Sequence, residues 1–244
     1  NKTLLLLTDE GTTGLTGPNM TMTEINNKDG DFPPDYKLVR FSAMKYSGGN
    51  QGAGLYGRGK LLFQGASKET NIYFDSLCEK EGYRANSRIL RKNDLKQAEK
   101  ALEGDAAKKL IKENLGLEPL VKVGTRVIIV EPLDSIVESI RNGEFESYIQ
   151  ETWWLIIRNG AQIFIDDGKK KSMVSFPKVY GNLPEKSESK WKVWFHNNIK
   201  IADDYKIRRI HLLISPAKLP EDFRGIHLYR KGMKVGGFDI PDLH

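Results

Sequence analysis

Apolar positions along this chain follow two rhythms. Residues 3–8 form a continuous apolar run bounded by turn-forming residues, which predicts a short buried strand. Residues 71–77 alternate and predict a second strand, with residues 83–90 as its partner across the turn at 78–82. Residues 124–130, rich in β-branched Val, Ile and Thr, predict a third strand, closed by Pro132. Further along, short strands are expected at 161–166, 172–176, 192–195, 208–215 and 225–230. A tight Lys231-Gly232 turn then leads into Met233-Lys234-Val235.

Helical spacing appears in two stretches. Residues 92–115 mix Ala, Leu, Lys and Glu with interspersed charge signs and predict a helix with a solvated face. Residues 135–159 keep a helical period broken at Gly143, and their Trp153-Trp154-Leu155-Ile156-Ile157 end is apolar enough to bury. The tryptophans read as core rather than as a base-stacking platform. Residues 15–51 carry Gly17-Pro18, Pro33-Pro34 and many Asn, Asp and Ser, and predict an extended loop with one helical turn. A helix is expected to start at residues 61–66. Helices and strands are mixed and no internal repeat is visible. The expected class is α+β, one sheet in each of two layers packed against helices, with a boundary near Pro132 that separates 1–133 from 134–244.

Composition narrows the chemistry. The longest strongly apolar run, Leu4 to Leu7, is far too short to span a bilayer, so no membrane partner is expected. The excess of 38 Lys and Arg over 32 Asp and Glu gives a net charge of +6, which permits contact with phosphates or nucleic acid without requiring it. A single cysteine, Cys78, excludes an internal disulfide framework and a cysteine-based zinc site, and points to a cytoplasmic setting. His196, His211, His227 and His244 lack metal-ligand spacing, so no metal is assigned to protein ligands.

Two glycine clusters carry the candidate chemistry, because only glycine lets the backbone approach phosphates or a base without steric cost. The first is Asp9-Glu10-Gly11-Thr12-Thr13-Gly14 at a strand end. The second is Gly52-Ala53-Gly54-Leu55-Tyr56-Gly57-Arg58-Gly59-Lys60, ahead of the expected helix, where a glycine turn opening a helix suits an anion. A third element is the Gly124-Thr125 pair on the late strand. In order and spacing these resemble the glycine boxes of the GHKL ATPases, the family shared by gyrase B subunits, MutL mismatch-repair proteins, heat-shock-ninety chaperones and histidine kinases. The wording from Asp9 to Pro18 looks most like bacterial stand-alone members beside restriction or phage-defence genes.

The resemblance implies a Bergerat-type α/β sandwich over 1–133, with residues 15–51 as an ATP lid, and a smaller transducer-like α+β domain over 134–244. It makes Asp9 the adenine reader. Gly11, Thr13, Gly14 and Thr125 would lie around the base, and Gly52, Gly54, Leu55, Tyr56, Gly57, Gly59 and Lys60 around the phosphates. The cofactors implied are ATP and magnesium. The function implied is a nucleotide-driven conformational switch that hydrolyses ATP, in DNA-linked defence or repair, with a second copy of itself, DNA or a DNA-processing protein as partner. In the family, the helix before the first glycine box supplies a glutamate general base and an asparagine that holds magnesium. Here a strand follows Asn1 almost at once, so both residues are expected outside this chain and no catalytic residue is assigned. The Gly225–Val235 segment resembles the end of a transducer hairpin, where Lys231 or Lys234 would reach the terminal phosphate.

Other readings share these residues. Gly54 to Leu61 almost fits the P-loop pattern, but Leu61 stands where a hydroxyl should hold magnesium. Asp166-Asp167 with Glu188-Ser189-Lys190 is a loose match to metal-dependent nucleases, which need their second acid and lysine on an adjacent strand. The Lys169-Lys170-Lys171 run is compatible with a non-catalytic nucleic-acid-binding module and equally with an exposed turn.

Overall fold

The computed structural model describes residues 2–28, 32–42, 59–89, 100–177, 192–202, 205–214, 225–230 and 233–238. Two compact units divide the chain, Asn1–Glu138 and Ser139–His244.

The first unit runs β1 (Leu4–Glu10), α1 (Met22–Asn26), α2 (Lys37–Ser42), α3 (Gly59–Gly65), β2 (Asn71–Cys78), β3 (Gly82–Ile89), β4 (Leu102–Glu103), α4 (Gly104–Leu115) and β5 (Gly124–Val130). Its five strands form one antiparallel sheet in the order β1-β5-β2-β3-β4. Strand β5 lies inside the sheet, between β1 and β2, and is buried along most of its length, as its β-branched sequence suits. Strand β1 is at the edge, so the expected buried strand is only partly covered. Leu6 and Leu7 retain 41% and 38% of their exposure. An apolar run alone does not distinguish an edge strand from a central one.

Alternation sends the residues of β2 to two different cores. On one face Tyr73 and Leu77 join Tyr83, Ala85 and Ile128 beneath Ala107 and Ile111 of α4. Asp75 lies opposite Arg126 in the β2–β5 ladder and is fully buried. The Arg126 guanidinium grips its carboxylate through two bonds of 2.9 and 2.6 Å, and the Tyr83 hydroxyl donates a third of 2.5 Å. Arg126 also donates to the Glu118 carbonyl oxygen at 2.9 Å. Burial and this bond to Asp75 push the Tyr83 phenol well above its ordinary range.

On the other face Phe74 packs with Leu15, Leu38, Ala101 and Phe41. Residues 15–42 therefore depart from the expected open loop. They hold two short helices, with Ile25 and Val39 making a satellite core beside Met20, Phe32 and Tyr36. Helix α1 starts at a capping box in which the Thr21 hydroxyl accepts from the Glu24 amide and the Glu24 carboxylate accepts from the Thr21 amide.

The helix expected over 92–115 is resolved from Gly104 onward, and residues 91–99 lie outside the described residues. Before it, β4 pairs with Arg84 and Ala85 of β3. The Asn19 amide acts as a substitute strand for Ala101, accepting its N–H at 2.9 Å and donating to its carbonyl at 2.7 Å. The left-handed Gly116 then ends α4.

The second unit, together with the last residues of the first, holds α5 (Asp134–Arg141), α6 (Glu144–Arg158), β6 (Phe164–Asp166), β7 (Lys171–Met173), β8 (Lys192–Ala202), β9 (Tyr205–Ile214), β10 (Ile226–Arg230) and β11 (Met233–Phe238). Gly143, at φ +85°, separates the two helices where the sequence predicts a break. Trp154 is buried and meets Phe176 and Tyr229 edge-on, with its indole N–H donating to the Tyr229 hydroxyl at 2.7 Å. The strands form three separate two-stranded ribbons among the described residues, β6–β7, β8–β9 and β10–β11. No helix of the described residues is long and apolar enough to cross a membrane.

Candidate functional site

The first glycine box and the Gly-Thr pair come together at one end of the five-stranded sheet. Asp9 lies opposite Thr125 in the β1–β5 ladder, and its Oδ1 accepts the Thr125 backbone N–H at 2.5 Å. Its other oxygen accepts from the Thr12 hydroxyl at 3.1 Å. The next residue of β5 toward the loop is Gly124, where a Cβ would collide with the Asp9 carbonyl oxygen, so glycine is required for the two strands to close here.

The turn after Asp9 is held from several sides. The Gly11 N–H donates to the Val123 carbonyl at 2.9 Å, and a Cβ on Gly11 would meet nothing, so the space above it is open. Gly14 is the opposite case. It has φ +68°, and a Cβ there would lie 2.5 Å from the Leu77 carbonyl oxygen and 2.8 Å from the Cys78 sulfur. Thr13 accepts a hydrogen bond from the ammonium of Lys37 in α2. Buried Arg84 donates to the Gly17 carbonyl at 2.6 Å and pairs with Glu103 at 3.0 Å, while Glu81 accepts the Gly17 N–H at 2.9 Å.

Ser76 links these parts and carries no sequence signal of its own. Fully buried on β2, its hydroxyl donates to the Gly124 carbonyl at 2.9 Å and accepts the Leu15 N–H at 2.8 Å. It also lies 3.3 Å from the Thr125 hydroxyl. Lys37 and Ser76 are the two site neighbours that sequence reading misses, since both are brought in by pairings remote in the chain. Burial pushes the nearby Cys78 thiol up, which keeps it protonated and unreactive. Glu10 is paired to Lys122 at 2.9 Å, which raises the lysine's pKa.

Asp9, Gly11, Thr13, Gly14 and Thr125 are thus gathered in one place. Gly52, Gly54, Leu55, Tyr56 and Gly57 lie outside the described residues. Gly59 and Lys60 open α3, which begins two residues earlier than expected. The segment after α3 is stitched to the far end of β5, where the Ser67 hydroxyl donates to the Val130 carbonyl at 2.5 Å. That anchor is five residues from Thr125 along the strand, about 17 Å. The seven residues of α3 span about 10 Å.

Asp166 and Asp167 shape the turn between β6 and β7. The Asp166 carboxylate accepts the Gly168 N–H at 2.9 Å, and Asp167 accepts the Lys169 and Lys170 amides at 2.8 and 2.7 Å. These backbone bonds lower the Asp167 pKa and cap the turn. Glu188 and Lys190 lie outside the described residues, as does Lys231. Lys234 is ion-paired with Glu151 of α6, and desolvation lowers its pKa. Among the described residues no group of three or more His, Cys, Asp or Glu could hold a metal ion. No protein-family model matches this chain, and comparison with curated proteins likewise gives no match.

Proposed function

We propose that residues 1–138 are the nucleotide-binding unit of a GHKL-type ATPase with a Bergerat-type sandwich, and that the protein works as an ATP-driven switch. One juxtaposition supports this most. Asp9 of the first glycine box and Thr125 of the Gly-Thr pair are 116 residues apart in sequence, yet they lie face to face and share a hydrogen bond. The resemblance demands that pairing, and chance glycine turns do not.

The chemistry is compatible with a base. A carboxylate offers about four lone-pair sites, and protein donors use one on each oxygen of Asp9, so an exocyclic amine can still be accepted. The open space over exposed Gly11 lets a flat ring lie against the backbone. ATP with magnesium is the ligand in this reading, and the second unit relays its state to a second copy of the chain or to a DNA-processing partner in the cytoplasm. Residues 15–42 are part of that switch only at the cost of exposing Leu15, Leu38 and Phe41, so most of their described length acts as a wall of the site. Lys234, held by Glu151, has no phosphate role in this scheme.

Asp9→Asn is the direct test. Asparagine keeps an acceptor for the Thr125 N–H and the same volume, but its amide NH₂ opposes the adenine amine. The variant is expected to melt near the parent temperature and to lose at least about tenfold in ATP affinity by calorimetry. Unchanged affinity overturns the adenine assignment.

A further inference from the structure

A sheet has two edges, and the five-stranded sheet treats its own differently. The β4 edge is only two residues long, with Glu103 paired to Arg84 at 3.0 Å. The β1 edge runs for seven residues, and among the described residues no strand pairs with its outer side. Proteins usually blunt such an edge with a proline, a bulge or a lysine in mid-strand, and β1 has none of these. Leu6 and Leu7 stay exposed instead. The ladder fixes which residues the open side presents. The Gly11 N–H donates to the Val123 carbonyl and the Glu131 N–H to the Thr3 carbonyl, both in the register of β1 with β5. Odd-numbered residues therefore turn their backbone groups toward β5, and Leu4, Leu6 and Thr8 turn theirs outward. Lys2 and Glu10 continue the outward series at its two ends with opposite charges. Their salt bridges within the chain, to Glu69 at 3.3 Å and to Lys122 at 2.9 Å, are exposed and exchange at little cost.

The geometry points to a second copy of this chain as the occupant of that edge: two β1 strands pair antiparallel about Leu6 and join both sheets into one. Several registers would bring outward residues together. Only the register centred on Leu6 engages the whole outward series, with Leu6 opposite itself, Leu4 opposite Thr8, and Lys2 opposite the Glu10 of the other copy. A slip in either direction shortens the ladder and parts the charges. Leu6 shares a face with Leu4, which packs on the α4 core, so each exposed Leu6 side chain is covered by its counterpart. The two Asp9 residues come to lie about 20 Å apart along the joined strands. The pairing goes beyond the nucleotide reading and does not rest on it.

Sedimentation of the intact chain over a range of concentrations is the first measurement, and twice the mass of one chain is expected at the upper end. Leu6→Lys sets two like charges together on the twofold axis and should raise the dissociation constant at least about tenfold. Cross-linking then reads the register. Residues opposite each other in a bonded pair have Cα atoms about 5.5 Å apart, within disulfide reach. Leu6→Cys is expected to give a covalent dimer on mild oxidation. Leu7→Cys, almost equally exposed but opposite Leu5 of the other copy, is not. The native Cys78 is buried and stays out of the reaction. A parent chain that remains monomeric at every concentration, its edge left to some other strand, overturns the inference. A dimer indifferent to Leu6→Lys does the same, as does a Leu6→Cys chain that forms no cross-link, or equal cross-linking at the two positions. Should Leu6→Lys fail to fold, the two cysteine variants decide alone.

Discussion

A Cβ at Gly14 would sit 2.5 Å from one backbone oxygen and 2.9 Å from the Ser76 hydroxyl, on a residue with φ +68°. Gly11 has a similar φ, +74°, with open space where the Cβ would go. The pair separates two causes that are usually confounded. Gly11→Ala should cost only the left-handed backbone term, about 1–2 kcal/mol. Gly14→Ala adds overpacking against β2, a further cost of about 1–3 kcal/mol. Urea unfolding of the two variants is the check, and equal losses would show that the wall behind Gly14 yields. A second residue-scale effect concerns alkali. Because the folded state raises the Tyr83 pKa, that group contributes stability that is complete below its unfolded value of about 10 and is lost as pH rises toward the higher folded value. Denaturation midpoints of the parent protein should therefore fall above pH 10, and Tyr83→Phe should flatten that part of the profile.

Helix α1 has only five residues, too few to stand alone, so its capping box and the burial of Ile25 hold it together. Thr21→Ala should destabilise the first unit by about 1 kcal/mol in chemical denaturation. No loss would mean that Ile25 packing alone suffices. The Thr21-x-x-Glu24 signature is readable in the sequence, yet the surrounding glycines, prolines and asparagines mask it, and the apolar anchors Leu15, Ile25 and Leu38 are too far apart to form a period. Strands with a local rhythm fare better. The sequence predicts β5 residue for residue, β2 and β3 to within one residue at each end, and the break at Gly143. Strand β4 is invisible because two residues carry no rhythm, and its pairing to Arg84 and Ala85 is decided by chain returning from elsewhere. Within the candidate site Asp9 and the glycines stand out in the sequence as a clustered set of residue types, while the contacts that gather them, such as Asp9 with Thr125 and Gly14 with Leu77, come from pairings remote in the chain. Ser76 does not stand out, because a serine in a strand looks like any other until β5 and Leu15 arrive beside it.

The division into two units falls inside α5, after Glu138. The reason lies in bonds just past Pro132. The Leu133 N–H donates to the Ala66 carbonyl at 2.9 Å, and Asp134 receives the Lys68 ammonium at 2.7 Å, tying the start of α5 to the turn after α3. A fragment of residues 1–141 should consequently melt cooperatively, and one ending at Glu131 should melt at a lower temperature. Calorimetric scans of the two decide the point, with coincident melting temperatures showing that these ties are idle. The strap between Asp9 and Thr125 has a different kind of consequence for the whole molecule. A backbone amide bonded to a carboxylate carries a nuclear resonance frequency set by that carboxylate's charge and occupancy. The Thr125 amide signal is thus a built-in gauge at the rim of the site, which reads any newcomer at Asp9 without a label on the newcomer.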